Sequence, residues 1–116
     1  MTIAAPPAWG TLEDALRQRR PVRLTYHGRQ RTVCPHALGW KRGRAMLLGY
    51  QTSEHTQPVA PRPGWRNFYL DEIDDAVLAE PATTWQTADN YNASHPFSAI
   101  DHVTIAVPGH PRAPLR

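Results

Sequence analysis

Arginine carries most of the chemistry this sequence could perform. Twelve of its thirteen basic residues are arginine, whose flat guanidinium fork meets phosphate or carboxylate with paired hydrogen bonds. Arg31, Arg44 and Arg66 each start or adjoin a segment of alternating apolar residues. Lys41 and Arg42 stand on a turn between two such segments, and Arg62 lies in a proline-rich loop ahead of the last. Guanidiniums that converge from separate strands would hold a phosphate. Tyr26, Tyr50, Trp65 and Tyr69 would offer rings for base stacking, each worth about 1–3 kcal/mol per base. The competing reading makes Tyr26 and Tyr50 core residues and the arginines a scattered, solvated rim.

Charge distribution favours a polyanionic partner. The net charge of +3 hides two unlike halves. Residues 1–66 carry eleven Arg/Lys against three acids, or +8, whereas residues 67–116 carry two against seven, or −5. Asymmetry on this scale points to an anion for the first half, or to pairing of the basic face with an acidic face of a second copy.

Other chemistry is weaker. Cys34 and His36 lie two apart on a strand, about 6.6 Å along the chain, too far for an easy thiol–imidazole bond. A lone buried cysteine is better read as a small apolar filler. His27, His36, His55, His95, His102 and His110 show no paired ligand spacing, so no metal is expected. The acidic run Asp71, Glu72, Asp74, Asp75 lacks the frame of a calcium loop and reads as a solvated turn. With no Gly-rich phosphate loop, G-x-S-x-G elbow or H-E-x-x-H, neither a catalytic role nor a cofactor is expected.

The elements that would position these residues follow from periodicity and punctuation. Thr11 reads as a helix cap, Leu12, Ala15 and Leu16 share a face, and Pro21 ends the helix. Val22–Tyr26 alternates strictly. His27-Gly28 and Lys41-Arg42-Gly43 read as hairpin turns flanking a strand over residues 31–38, in which Pro35 demands an edge or a bulge. Strands are further expected over residues 44–50, 65–70 and 76–79, with a 3₁₀-like turn over 70–74 and a long loop over 52–64. Residues 101–107 alternate again as an extra strand. One helix followed by five short antiparallel strands reads as a small barrel. The expected boundaries are a flexible N-terminus over 1–10, the barrel domain over 11–80, and an irregular extension over 81–116 that packs partly on the barrel and ends in a disordered tail.

The order of these blocks is informative. A helix, then Val22-x-Leu24-x-Tyr26, Arg31-x-Val33-x-Pro35-x-x-Leu38, Gly43-Arg44 followed after three intervening residues by Leu48-Gly49-Tyr50, and Arg66-Asn67-Phe68-Tyr69-Leu70-Asp71-Glu72-Ile73 resemble the WYL domain over residues 11–80. The resemblance implies an Sm-like or SH3-like five-stranded barrel behind one helix. It also implies a ligand-sensing module of bacterial transcription regulators and phage-defence proteins, binding nucleic acid or nucleotides through basic and aromatic residues. The sequence departs from the pattern at telling places. The name-giving Trp-Tyr-Leu falls on Ala45-Met46-Leu47. In the Arg-x-Phe-Arg-Leu-Asp-Arg-Ile segment, Arg66, Phe68, Leu70, Asp71 and Ile73 match, while the second and third arginines are replaced by Tyr69 and Glu72.

The resulting expectation is a regulatory module that binds single-stranded nucleic acid or a nucleotide through Arg31, Arg44, Arg66, Lys41, Arg42, Arg62, Tyr26 and Tyr50. The alternative is an interaction or oligomerisation module, such as a homodimer, that has lost its ligand. Only ten residues precede the expected helix, so a free-standing domain working with a separate DNA-binding regulator is expected. No stretch approaches the roughly 20 apolar residues of a membrane span, and residues 1–7 have neither a basic start nor an apolar run, so a cytoplasmic setting without membrane contact is expected.

Overall fold

Trp9, Leu12 and Leu16 recur at helical spacing, and in the computed structural model, which describes residues 6–54, 64–87 and 102–107, they lie on helix α1, Ala8–Gln18. The helix starts three residues before the expected cap. Pro7 takes the N-cap position with φ −55°, the value its ring imposes anyway, and Thr11 sits one turn inside. Trp9 explains the early start: its ring stacks on Trp40 at 5.5 Å and its indole N–H donates to Glu13 at 3.0 Å. Glu13 also accepts from Arg17 at 2.8 Å, an i,i+4 ladder rather than a dipole effect. The helix closes at Arg19, which is left-handed at φ 53°, ahead of Pro21.

Two-residue turns then build the sheet. His27-Gly28 (φ 52° and 78°) joins β1, Val22–Tyr26, to β2, Arg29–Lys41, and Arg42-Gly43 (φ 52° and 79°) joins β2 to β3, Arg44–Glu54. Both central residues of each turn are left-handed, the arrangement that matches strand twist. Strand β4, Gly64–Tyr69, follows, then a 3₁₀ turn, Leu70–Glu72, then β5, Ile73–Leu78, and β6, His102–Ala106. Residues 55–63, including His55 and Arg62 of the expected loop, and the expected tail lie outside the described residues.

Strand β2 is longer than expected because it serves two sheet regions. Its first half pairs with β1 up to Val33, its second half with β6 from Ala37, and β3 runs along both. Pro35 falls in the gap between β1 and β6, at a register shift. Its missing N–H therefore costs no ladder bond on that side, so both the edge and the bulge demanded by this proline are met. Residues 32–39 are buried without interruption, as expected of a strand covered on both faces.

The antiparallel ladder runs β4-β3-β2-β1-β5, with β6 on β2. The fold is thus mainly β with one N-terminal helix. Its barrel is left open, since the outer strands β4 and β5 do not pair with each other. Helix α1 contributes Leu12, Ala15 and Leu16 to the cluster formed by Val22, Leu24, Val33, Leu47, Phe68 and Leu70, so packing against a helix replaces hydrogen-bonded closure.

Register assigns the faces. Val22, Leu24 and Tyr26 point inward, with Leu47 opposite Phe68. Gly49 shares that inner face, and a Cβ there would run into the Val33 side chain. The outer face carries Cys34, Tyr50 and Trp65 in one row. Residues 85–87 cover part of that row, beyond the last strand of the ladder.

Candidate functional site

Alternation decides where each arginine goes. Arg31 lies opposite Leu24, and Arg66 lies opposite Gly49 two residues before Phe68, so both belong to the inner face. Arg44 precedes Met46 by two, and Met46 pairs with Tyr69 on the outer face. The three guanidiniums expected to converge are therefore divided: Arg31 and Arg66 share a face across β3, and Arg44 stands on the other.

Arg31 is held over aromatic carbon. Its guanidinium carbon lies 5.4 Å from the centre of the Tyr26 ring and 5.8 Å from that of Phe68. Its terminal nitrogens donate to Gln51 Oε1 and to the Tyr26 carbonyl, each at 3.3 Å. Arg66, half-buried, donates to the Trp65 carbonyl at 3.0 Å. The strands carrying the two are separated by β3 alone, roughly 10 Å across the ladder, and Arg66 stands level with Pro35, four residues along β2 from Arg31.

Arg44 is committed to its own chain. Its guanidinium lies over Tyr69, with its carbon 3.7 Å from the ring centre. It grips Asp71 with two hydrogen bonds of 3.0 and 2.7 Å and reaches Glu72 at 2.8 Å. Glu72 also meets the His27 ring nitrogen at 2.6 Å and accepts from the Tyr26 hydroxyl at 3.2 Å. Hydrogen bonds from His27 first, then from Arg44 and Tyr26, pull the Glu72 carboxyl down to about 2. Arg44 likewise lowers Asp71, and the two acids raise Arg44. Asp71 and Glu72 are thus structural partners of an arginine rather than a freely solvated turn. The signal for this was in the sequence: an acid stands where the resembling pattern has a third arginine.

The remaining expected residues scatter. Tyr26 is buried, packs edge-on against Phe68 at 4.8 Å, and accepts the Tyr69 backbone N–H at 3.1 Å, so it braces the β1–β4 junction and offers no open stacking face. Tyr50 packs against Trp65 at 5.1 Å on the outer face. Lys41 and Arg42 sit at the opposite end of β2 from Arg31. Gln51 and Phe68, which orient Arg31, were not singled out as site residues from sequence, because a strand glutamine and a core phenylalanine carry no motif.

Cys34 and His36 do not pair. The His36 Nδ1 donates to the Cys34 carbonyl at 2.7 Å, which leaves Nε2 to accept from the Thr87 hydroxyl at 2.8 Å. Trp65 and Trp85 flank the imidazole, each at 4.7 Å. The Gln86 N–H reaches the Cys34 sulfur at 3.3 Å. Burial pushes the thiol up to about 11 and the imidazole down to about 4. A thiol so held is protonated at neutral pH and is no nucleophile. Among the described residues no group of three His, Cys, Asp or Glu could hold a metal ion, and no helix is long and apolar enough to cross a membrane.

These features define a class: a small antiparallel β-domain, closed by one helix, with two arginines sharing its inner face. Residues 7–78 match the model of the WYL domain family, and the chain belongs to that family. The match runs from the start of α1 to the end of β5, so β6 and residues 85–87 lie beyond it. Comparison with curated proteins finds no match, and comparison with solved structures finds none.

Proposed function

We propose that this member of the WYL family, whose domains are in general ligand-sensing and regulatory, is a non-catalytic, cytoplasmic sensor of a phosphate-bearing ligand, single-stranded nucleic acid or a nucleotide, which it takes at the inner face through Arg31 and Arg66. The observation that carries the reading is the shared face of these two guanidiniums, one of them already oriented over the Tyr26 and Phe68 rings. Fixed forks lose little freedom when they bind a phosphate, and the excess of +8 over residues 1–66 would draw such a ligand in from solution.

A salt titration of binding to a labelled oligothymidylate tests the reading. Two phosphate contacts on a single strand predict a log–log slope of about −1.4. Arg66→Gln should lower its magnitude by about 0.7. Absence of binding at low salt, or a slope indifferent to Arg66→Gln, would sink it.

A further inference from the structure

Strand β5 ends the ladder. One of its edges pairs with β1, and the other pairs with no strand among the described residues. Beside it, against the N-terminal turn of α1, runs a groove of about 550 Å³ lined by residues that include Pro6, Pro7, Thr11, Ile73, Ala76 and Val77. That volume suits several side chains. Its proline wall has no N–H to compete for a visiting backbone. Val77 is 56% exposed, the one large hydrophobic so placed among the described residues.

Charge narrows the occupant. Asp71, Glu72, Glu13 and Glu80 are each tied to an arginine. Asp74 and Asp75, exposed on the groove, carry no ion pair among the described residues. They stand in a register shift of β5 between Ile73 and Ala76, both of which pack on the core, so the two carboxylates share the exposed side and an added strand would meet both on one face. Opposite charges across neighbouring strands stabilise pairing. Of the other strands with an unpaired edge among the described residues, β4 has only Arg66 as a cation and β6 has neither arginine nor lysine, so a second copy offering either edge would answer two carboxylates with at most one arginine or lysine.

We propose that the β5 edge and its groove dock an extended segment of another protein that carries arginine or lysine among β-branched residues, by strand addition. The surface is separate from the Arg31–Arg66 face, so it stands or falls independently of the ligand reading.

The probe is a fluorescent peptide of alternating arginine and valine, tested against the whole chain at low salt by anisotropy and amide hydrogen exchange. Binding is expected to slow exchange over residues 73–78. Methylating alternate peptide nitrogens preserves charge but removes ladder bonds, and should weaken binding about tenfold or more. Asp74→Asn with Asp75→Asn should weaken it by a similar, about tenfold, factor while thermal unfolding stays put. Lack of binding, or equal binding of the methylated peptide, overturns the proposal. So does protection, without peptide, of the β5 amides that do not donate to β1: rising with protein concentration it marks a second copy as occupant, and independent of concentration it marks the chain itself.

Discussion

Replacing Arg44 by Gln separates arginine count from arginine availability. In the structure Arg44 spends its donors on Asp71 and Glu72 while Tyr69 supports it from below. Arg44→Gln and Arg66→Gln change net charge equally, yet only the second removes a guanidinium from the inner face. The oligothymidylate slope should therefore stay near about −1.4 in Arg44→Gln and fall to about −0.7 in Arg66→Gln. A second readout reports the clamp directly. The Glu72 carboxyl, held at about 2, owes that value first to His27 and then to Arg44. An arginine beside a carboxylate commonly lowers it by about 1–3 units, so losing the second of its three donors should raise the Glu72 midpoint by about one unit.

The sign follows from the depressed value. The clamp's contribution to stability is complete above the ordinary glutamate range near 4.5 and is lost as pH falls toward about 2. In Arg44→Gln the loss should begin at higher pH. Carbon-detected NMR of the side-chain carboxyls gives the midpoint, and anisotropy gives the slope. An unmoved Glu72 midpoint, or a salt slope that drops as far as in Arg66→Gln, would refute the assignment of Arg44 to the clamp.

Three further outcomes are expected. Gly49→Ala should destabilise the fold by about 1–3 kcal/mol, because the new methyl meets Val33 on the inner face, and Val33→Ala in the same chain should recover part of that loss in urea denaturation. His36 is neutral in the fold, with its value down at about 4, so the stability this provides is full above pH 6.5 and declines as pH falls from 6.5 to 4, by about 3 kcal/mol; His36→Gln should flatten that part of the curve, and an unchanged curve would contradict burial as the cause. Cys34, fully buried with its thiol up at about 11, should resist iodoacetamide at neutral pH and react at once in denaturant; ready labelling of the native chain would reopen a nucleophilic role.

Much of the fold was legible because local chemistry and tertiary packing agree. Strict alternation over Val22–Tyr26 gives β1 to the residue, and His27-Gly28 and Arg42-Gly43 are left-handed turns as their composition requires. The misplaced helix start has a tertiary cause. Trp9 is anchored by Trp40, thirty-one residues away, and nothing within residues 6–10 reports that partner. The open barrel is likewise invisible locally, since five strand signals say nothing about whether the first and last of a ladder meet.

The site was harder to read because a sequence counts charges without showing which are already answered. Arg31, Arg44 and Arg66 look alike in a charge tally, and only the register and the Asp71–Glu72 clamp distinguish them. Two departures from the resembling pattern act together here. Tyr69 supplies the platform and Glu72 the second acid for a single guanidinium. With arginine at either position, Arg44 would lose either the ring beneath it or one of its two carboxylates, and the positive field of that outer corner would grow. Tyr69 and Glu72 at these two positions thus change more than two charges imply, since they also engage Arg44. On the proposed reading an anion would meet the inner face instead, and Arg66→Gln is the substitution that tests it.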